Sequence, residues 1–210
     1  MNPVLNQLIL RYPILRPCQD DIEQTFNLLK TTFENGGSLY VCGNGGSASD
    51  ALHIVGELMK SFTCKRSLSK DFLNSYDASN RKGIDLTKLE GALPAYALVE
   101  NSSFSTAYGN DVDWDYSFAQ QVYGYVENHD IVLGISTSGN SKNIINALNV
   151  AKLKGAKTIG LTGRDGGALV GICDSLIIVP EVETYKIQEL HLPIYHCLCV
   201  MLEQYFWPIQ

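Results

Sequence analysis

Two ionisable side chains lie one helical turn apart in a segment that follows a run of glycines. His53 and Glu57 are separated by four residues within a predicted helix over 48–62, and the turn before it reads Gly-Asn-Gly-Gly-Ser at residues 43–47. Because an α-helix has about 3.6 residues per turn, the imidazole and the carboxylate lie on the same side of it. Such a pair suits a metal site or proton transfer, but it is equally typical of a solvated helix face. The stretch alone leaves these interpretations open.

A second candidate segment is rich in hydroxyl groups and follows a predicted buried strand over 131–135. It reads Ser-Thr-Ser-Gly-Asn-Ser at residues 136–141, immediately before a predicted helix over 142–154. Ser141 is a candidate N-cap of that helix, yet one hydroxyl is enough for capping. Four hydroxyls and a glycine at a helix N-terminus favour a phosphate monoester, whose oxygens accept several hydrogen bonds together. No Walker lysine follows either loop, which argues against a nucleoside triphosphate, and a hydroxyl-rich turn without a ligand is the alternative.

The glycine-rich turn also satisfies a loose dinucleotide-binding pattern, with Gly43, Gly45 and Ala48 at the required spacing. That pattern needs an acidic residue about 20 positions later, at the end of a second strand, to bind a ribose. The corresponding region, KSFTCKRS at 60–67, is basic and not strand-like. A dinucleotide is therefore disfavoured, and a tight packing turn without a ligand stays open as the alternative.

The last predicted helix, over about 184–206, is mostly apolar, so we expect it to be buried. Gln188, Leu192 and His196 recur along one i+4 ridge, which would place an amide and an imidazole inside the core. Buried polar groups need partners, and a hydrogen-bonded core histidine competes here with a functional one. His191 lies off this ridge.

Regular structure must position these segments, and short apolar strands alternate with helical patterns along most of the chain. Such alternation, with strands that are apolar throughout, predicts an α/β fold whose parallel sheet is buried on both faces. We interpret the chain as one domain over 1–210, with N-terminal helices within 1–37 and a polar excursion at about 63–92. Both loops then lie at carboxyl ends of strands, where ligands bind. The predicted strands are 39–42, 95–99, 131–135, 158–161 and 176–179, and helices are also predicted over 114–127 and 142–154.

Composition and charge narrow the classes of partner. The 210 residues are 45% hydrophobic and 18% charged, and the formal net charge is -6, so nothing supplies the broad basic face that nucleic acid requires. The most apolar stretch, 190–206, is too short and too polar to span a bilayer. The six cysteines form no CxxC pair, and the N-terminus lacks the pattern of a signal peptide. We therefore expect a cytoplasmic protein that binds neither nucleic acid nor membrane.

Five motifs occur together and in order along the chain. They read CGNGGSASDALH from residue 42, GNDVDW from 109, GISTSGNS from 134, LTGRDGG from 161 and IQELHLPIYH from 187. With these motifs the chain resembles the SIS-domain phosphoheptose isomerase family, whose members act on sedoheptulose 7-phosphate. The resemblance implies a three-layer α/β fold with a five-stranded, flavodoxin-like parallel sheet and helices on both faces. It also implies a homotetramer with sites between subunits.

The resemblance further implies a reaction, the aldose–ketose isomerisation of sedoheptulose 7-phosphate to D-glycero-D-manno-heptose 7-phosphate through an enediol. That reaction belongs to heptose and lipopolysaccharide biosynthesis. Glu57 and His196 match the catalytic pair of the family. One Zn²⁺ per site is implied, with the matching ligands His53, Glu57, Gln188 and His196. The matching substrate-binding positions are Asn44, Gly45, Gly46, Ser47, Asp111, Ser136, Thr137, Ser138, Ser141 and Gln188.

Three features depart from the family pattern. Ser61 stands where the family often has an arginine, Tyr185 stands where it usually has an acidic residue, and the excursion at 63–92 is longer. These departures leave the exact sugar open. Related SIS proteins that bind the replication initiator without catalysis also resemble this chain, but that branch lacks the glutamate and the final histidine that are present here as Glu57 and His196. A non-catalytic sugar-phosphate sensor is the other alternative.

Overall fold

Five short apolar strands form one parallel sheet at the centre of the computed structural model, which describes residues 2–79 and 83–208. The strand order is β2-β1-β3-β4-β5, the order of flavodoxin-like sheets, so the predicted topology is confirmed. Within the sheet, Leu39 of β1 pairs with Ala95 of β2 on one side and with Ile131 of β3 on the other. The strands are β1 Leu39–Gly43, β2 Ala95–Ala97, β3 Ile131–Ile135, β4 Lys157–Thr162 and β5 Ser175–Ile178.

Helices cover both faces of this sheet and complete the predicted three layers. Side chains of α1, α2, α3 and α8 form one apolar core with the sheet, and side chains of α6 and α7 form a second core on the opposite face. No helix in the described part of the chain has the length and apolar character needed to cross a membrane. The helices are α1 Pro3–Arg11, α2 Gln19–Glu34, α3 Gly46–Met59, α4 Lys70–Ala78, α5 Ser102–Tyr108, α6 Ser117–Tyr125, α7 Lys142–Leu153 and α8 Thr184–Phe206.

Most predicted boundaries agree with the structure to within a few residues, and the ends of α8 are the predicted ones. The helix that carries the imidazole–carboxylate pair, α3, is shorter than predicted. It ends before Lys60, whose backbone is extended (φ -136°, ψ 169°), so Phe62 lies beyond the helix. The pattern also missed α5, which is capped by the Asn101 side chain. The helix predicted over 114–127 is an α-helix only from Ser117 onward.

A buried ion pair anchors the start of the polar excursion. Arg66 Nε donates to Glu203 Oε1 at 2.7 Å, and neither side chain is exposed to solvent. The guanidinium also donates to the carbonyls of Glu57 and Leu58, at 2.7 and 2.6 Å, which lie in the last turn of α3, where helical carbonyls lack partners. Burial raises the pKa of the Glu203 carboxyl, but hydrogen bonds from Thr63 and Arg66 dominate and lower it to about 2.

The excursion is therefore only partly the polar loop that its composition suggests. It holds α4 and a short 3₁₀ turn at Leu86–Lys88, while residues 80–82, which belong to it, lie outside the described residues. Arg66 is buried beneath it and caps the end of α3. The Arg66 guanidinium thus stabilises the fold. It does not take the place of the arginine that the family often has at the position of Ser61.

Candidate active site

The two loops singled out in the sequence lie side by side at the switch point of the sheet. β1 and β3 are neighbours, and the chain continues from them toward opposite edges, so the loops after their carboxyl ends border a crevice. Two reciprocal hydrogen bonds between side-chain amides join the glycine-rich turn to the helix that follows the hydroxyl-rich loop. Asn44 Nδ2 donates to Asn143 Oδ1, and Asn143 Nδ2 donates to Asn44 Oδ1, both at 2.9 Å. The pair ties the glycine-rich turn to the first turn of α7.

The hydroxyl-rich loop is held in shape by its own groups. Ser136 Oγ lies 2.9 Å from Ser141 Oγ, and Ser138 Oγ accepts a hydrogen bond from the backbone N–H two residues later. At Gly139, φ is +66° and a Cβ would lie 1.9 Å from the carbonyl oxygen of Gly166, so only glycine fits there. Ser141 occupies the N-cap position of α7, as predicted, but its side chain makes no capping hydrogen bond. Its hydroxyl is turned toward Ser136 instead.

α3 places a carboxylate at the edge of the apolar core. Ile54 and Leu58 on this helix are buried against the sheet. Glu57 is also buried, with 9% of the residue exposed, whereas 42% of the His53 side chain is exposed. Glu57 Oε1 lies 3.2 Å from His53 Nε2, and Glu57 Oε2 lies 2.9 Å from Lys60 Nζ. The interpretation of this side of the helix as a solvated face is therefore wrong for Glu57.

His196 on α8 joins the pair on α3. Its Nε2 lies 3.4 Å from His53 Nε2, and the two rings meet edge to face with centroids 4.9 Å apart. Phe62 packs beside the His196 ring at a centroid distance of 5.4 Å. Burial and the neighbouring His53 lower the pKa of the His196 imidazole, against the opposite effect of Glu57. A cavity of about 360 Å³ between α1 and α8 reaches this imidazole, while neither His53 nor Glu57 lines it.

The apolar neighbours of the i+4 ridge of α8 suggest that the ridge is buried. The structure shows that it does not lie on the buried side of the helix. Leu192, in the middle of the ridge, is 40% exposed, and Gln188 and His196 are half-buried. The fully buried histidine is His191, whose Nε2 lies 3.3 Å from the carbonyl oxygen of Thr162 and whose pKa is lowered to about 4 by burial. The prediction of a buried ridge is wrong because α8 turns its His191 side toward the sheet.

The donor atoms of the cluster suit Zn²⁺. A tetrahedral zinc with ligand bonds of about 2.0–2.1 Å separates its ligand atoms by about 3.3–3.4 Å. His53 Nε2 lies 3.4 Å from His196 Nε2 and 3.2 Å from Glu57 Oε1, close to those separations. Two imidazoles and a carboxylate are also ligands that zinc prefers. Within residues 2–79 and 83–208, no three or more His, Cys, Asp or Glu side chains form a preformed metal cluster, so the fit depends on these two distances and on the ligand types.

The second ring nitrogen of His53 is bound as well. His53 Nδ1 lies 3.1 Å from the hydroxyl oxygen of Tyr195, and that hydroxyl donates to Asp50 Oδ1 at 3.2 Å. Tyr195 is 3% exposed, and its ring meets the rings of His53 and His196 edge to face. Burial raises the pKa of the Asp50 carboxyl, against the opposing effects of the Tyr195 hydrogen bond and the His53 charge.

Gln188 lies beside the glycine-rich turn, apart from the histidines. A Cβ on Gly46 would lie 2.7 Å from Gln188 Nε2, so the amide contacts the start of α3. Gly46 precedes His53 by seven residues, which is about 10 Å along a helix axis. Within one chain, the amide therefore lies nearer to the glycine-rich turn than to the imidazole–carboxylate cluster.

Asp111 lies in a single π-helical turn, Gly109–Asp113, and is exposed. Its Oδ1 accepts a hydrogen bond from Asn110 Nδ2 at 2.9 Å. The 3₁₀ turn that follows it, Trp114–Tyr116, is attached to α7, because Asn146 Nδ2 donates to the carbonyl of Asp115 at 2.8 Å. Among the other predicted substrate contacts, Ser47 and Ser136 are buried, Thr137, Ser138 and Ser141 are half-buried, and Asn44, Gly45 and Gly46 are exposed.

The fold and the site together define a SIS-domain protein, and the SIS domain family model matches residues 13–93 and 89–163. Within that class, the chain belongs to the phosphoheptose isomerase family. It is 38% identical over 190 residues to the phosphoheptose isomerase of Aliarcobacter butzleri, covering 90% of this chain and 88% of that protein. The phosphoheptose isomerase of Nitratiruptor is 40% identical over 173 residues, covering 82% of this chain and 80% of that protein.

A solved structure is similar to this chain over almost its whole length. The phosphoheptose isomerase of Francisella tularensis superposes with a TM-score of 0.75 at 31% identity, covering 95% of this chain and 92% of that one. The predicted family and the predicted fold class are therefore confirmed. The individual site residues stay predictions that rest on the geometry given above.

Sequence reasoning missed three polar residues that organise the site. Asn143 could have been noticed, because an amide in the first turn after the hydroxyl-rich loop is well placed to meet another loop. Asp50 precedes His53 by three residues and therefore lies on a neighbouring part of the same helix face. Tyr195 carried no such signal, because its contact with α3 spans more than 140 residues of sequence.

Proposed function

We propose that this chain is an aldose–ketose isomerase that converts sedoheptulose 7-phosphate into D-glycero-D-manno-heptose 7-phosphate, for heptose and cell-surface carbohydrate biosynthesis. One observation carries the proposal. α3 and α8 bring His53, Glu57 and His196 into contact, and the N-terminus of α3 is the glycine-rich turn that is bonded to the helix after the hydroxyl-rich loop. These contacts support one site in which acid–base groups act beside a phosphate-binding loop.

The reaction needs a base for a carbon-bound proton and a group that exchanges protons with oxygen. Glu57 removes a proton from C1 of the ketose while His196 donates a proton to O2, which yields the enediol. Glu57 then returns a proton to C2 while His196 accepts the proton of O1, which yields the aldose. Burial and the neighbouring His53 lower the pKa of the His196 imidazole, which favours its neutral form, and a neutral imidazole can donate and accept protons in such a step.

The two oxygens of Glu57 have separate neighbours, which suits two separate roles. Oε2 is held by Lys60, and we assign proton transfer to this oxygen. Oε1 faces His53 and would hold Zn²⁺ together with His53 and His196. When bound, the metal supplies an electrophile that polarises the carbonyl oxygen of the sugar. A carboxylate bound to zinc is a poorer base, and an imidazole nitrogen bound to zinc carries no proton. We therefore infer that metal binding and proton transfer would use different arrangements of Glu57 and His196.

The remaining polar groups of the crevice bind and orient the sugar phosphate. Four hydroxyls and the N-terminal N–H groups of α7 accommodate the phosphate oxygens, where the helix dipole also favours an anion. These four hydroxyls belong to Ser136, Thr137, Ser138 and Ser141. Asn44 and Ser47 lie at the turn that opens α3, and Gln188 contacts that turn. These groups are therefore assigned to the sugar end of the substrate.

A homotetramer in the cytoplasm is part of the same proposal. Apolar side chains are exposed on both helices of the imidazole–carboxylate cluster: Leu52 and Met59 on α3 are 42% and 48% exposed, and Leu192 on α8 is 40% exposed. Apolar surface at the rim of a site favours its burial against another subunit. If Gln188 is a metal ligand, its amide would have to come from a neighbouring subunit, because within one chain it lies beside Gly46. The free thiols of the chain suit a reducing compartment.

The decisive experiment is to incubate the purified, zinc-loaded protein with sedoheptulose 7-phosphate and to follow aldose phosphate formation by NMR. We expect turnover that a chelator abolishes and that added zinc restores. His196→Asn should be inactive, whereas the matched control His129→Asn should be unaffected, because His129 is exposed and lies outside the site. Light scattering on the same sample tests the tetramer.

Each outcome has a clear meaning. Turnover of another ketose phosphate, but not of sedoheptulose 7-phosphate, would keep the reaction and replace the substrate. Tight binding of the sugar phosphate without turnover of any ketose phosphate would refute the enzyme and favour a sensor. Turnover that persists in metal-free protein would refute the zinc assignment alone.

A further inference from the structure

The hydroxyl of Tyr195 lies between two polar side chains of α3. It donates a hydrogen bond to Asp50 Oδ1 at 3.2 Å, and its oxygen lies 3.1 Å from His53 Nδ1. The phenol ring comes from α8 and is 3% exposed. These three groups form a hydrogen-bonded chain that contacts the cluster of His53, Glu57 and His196 through the Nδ1 atom of His53.

The directions of the two hydrogen bonds follow from the donor inventory of the groups. A carboxylate oxygen can only accept, and a phenol has one proton to donate. Tyr195 donates its single hydroxyl proton to Asp50, so its oxygen can only accept a hydrogen bond from His53. His53 must therefore carry a proton on Nδ1. In a neutral imidazole the remaining nitrogen, Nε2, then presents a lone pair.

That lone pair faces one acceptor, the carboxylate of Glu57, and one group that can donate or accept, the imidazole of His196. His53 Nε2 faces a carboxylate oxygen of Glu57 at 3.2 Å and the Nε2 atom of His196 at 3.4 Å. A nitrogen lone pair beside a carboxylate oxygen is unfavourable unless a cation lies between them. The tautomer selected by Tyr195 is thus the one that a metal ligand needs.

We infer that Tyr195 is a positioning residue, which, backed by Asp50, holds His53 as the Nδ1–H tautomer with its Nε2 lone pair directed into the cluster. The inference deepens the proposed function and rests on it where metal binding is concerned. No other hydrogen bond competes for the Asp50 carboxylate at its second oxygen, because Oδ2 is buried and has no hydrogen-bond partner in the described part of the chain. Tyr195 acts through His53 and needs no contact with substrate.

The tautomer can be read directly in metal-free protein by ¹⁵N NMR of the histidine side chains, well above the ordinary histidine pKa. The His53 signals are assigned by their loss in His53→Gln. We expect the Nδ1–H form in the unmodified chain. In Asp50→Ala the phenol proton is released to donate to His53 Nδ1, so the Nε2–H form should replace it. In Tyr195→Phe the ring packing is kept and the preference for Nδ1–H should be lost.

Tyr205→Phe is a matched control. Tyr205 also lies on α8 and donates its hydroxyl proton to a carboxylate, that of Glu34, but it lies at the far end of the helix from His53. This variant should keep the tautomer and the zinc affinity unchanged. Zinc affinity, measured by competition with a chelator, should fall about ten- to a hundredfold in Tyr195→Phe, as is typical for loss of a partner behind a metal ligand.

The outcomes separate this inference from the proposed function. Nε2–H at His53 in the unmodified protein, or an Nδ1–H signal that survives both substitutions, would overturn the role of Tyr195 whatever the enzyme does. The expected tautomers, together with zinc affinity that Tyr195→Phe leaves unchanged, would overturn its role in metal binding. A chain with the expected tautomers and the expected affinity loss, but with no isomerase activity, would refute the reaction and leave this inference intact.

Discussion

The buried pair of Arg66 and Glu203 should contribute a large part of the stability of this protein, and Glu203→Gln tests this. The substitution keeps the shape of the side chain and one acceptor oxygen, but it removes the negative charge. Arg66 would then be a fully buried cation without a counter-charge, 0% exposed at its side chain. Its contacts with the carbonyls of Glu57 and Leu58 would not neutralise it, so the end of α3 beside the Glu57 carboxylate should loosen.

Two independent arguments give the magnitude. Breaking a buried ion pair by removing one partner costs about 3–5 kcal/mol. The pKa of Glu203 is lowered from 4.5 to about 2, and since one pKa unit corresponds to about 1.4 kcal/mol, the carboxylate contributes about 3 kcal/mol. For a chain of this length, such a loss lowers the melting temperature by roughly 6–20 °C.

The same pKa shift sets the pH dependence. A carboxyl whose pKa is lower in the folded state stabilises the fold fully above its unfolded pKa, and the contribution is lost as pH falls through the folded pKa. For Glu203 the contribution should be present above about 4.5 and should disappear by about 2. The difference in stability between the unmodified chain and Glu203→Gln should therefore be constant near neutral pH and shrink in that acidic window.

Urea unfolding at fixed protein concentration measures the effect, because subunit association would otherwise change the apparent stability. Glu127→Gln is the matched control: Glu127 pairs with Lys154 at 4.0 Å and is 65% exposed, so its loss should cost about 0.5 kcal/mol or less. Adding Arg66→Met to Glu203→Gln should recover part of the loss, since no charge is then left unpaired. A loss below about 1 kcal/mol in Glu203→Gln, with an unchanged urea slope, would refute the reasoning.

Three further predictions concern the site. Glu57→Gln should lower kcat by a factor of about 10²–10⁴ with the circular dichroism spectrum unchanged, and near-normal kcat would show that Glu57 is not the base. His196→Asn should lose bound zinc, measured by mass spectrometry of the native protein, as well as activity, and a fully metallated variant would remove His196 from the metal site. Ser138→Ala should raise KM for the sugar phosphate more than it lowers kcat, because the hydroxyl binds phosphate in ground and transition states alike. A change confined to kcat would contradict that assignment.

Local patterns in the sequence were sufficient for the architecture. The apolar strands and the helical periodicities predict the α/β class, since both signals arise within a few residues of each other. The glycine-rich turn and the hydroxyl-rich loop could be assigned to ligand binding because carboxyl ends of parallel strands always meet at one edge of the sheet. Family resemblance added the roles of Glu57 and His196.

Other features depended on how elements rotate and pack. The apolar composition of α8 suggests that the ridge through His196 is buried, but the packed helix turns His191 inward and leaves Leu192 exposed. The composition of the polar excursion likewise gives no sign that Arg66 is buried. A helix that is apolar around most of its circumference can be rotated in several ways at similar cost, so only its neighbours decide which side chains face the core.

The sequence by itself therefore determined the class of fold, the position of both loops and the candidate chemistry of the imidazole–carboxylate pair. Only the tertiary structure decided that the two amides of Asn44 and Asn143 close the switch point, that Glu203 neutralises Arg66, and that the Tyr195 hydroxyl contacts both His53 and Asp50. The physical reason is the same in each case. These contacts join residues 99, 137 and 142 positions apart, and the directional hydrogen bonds that define them exist only once the helices are packed.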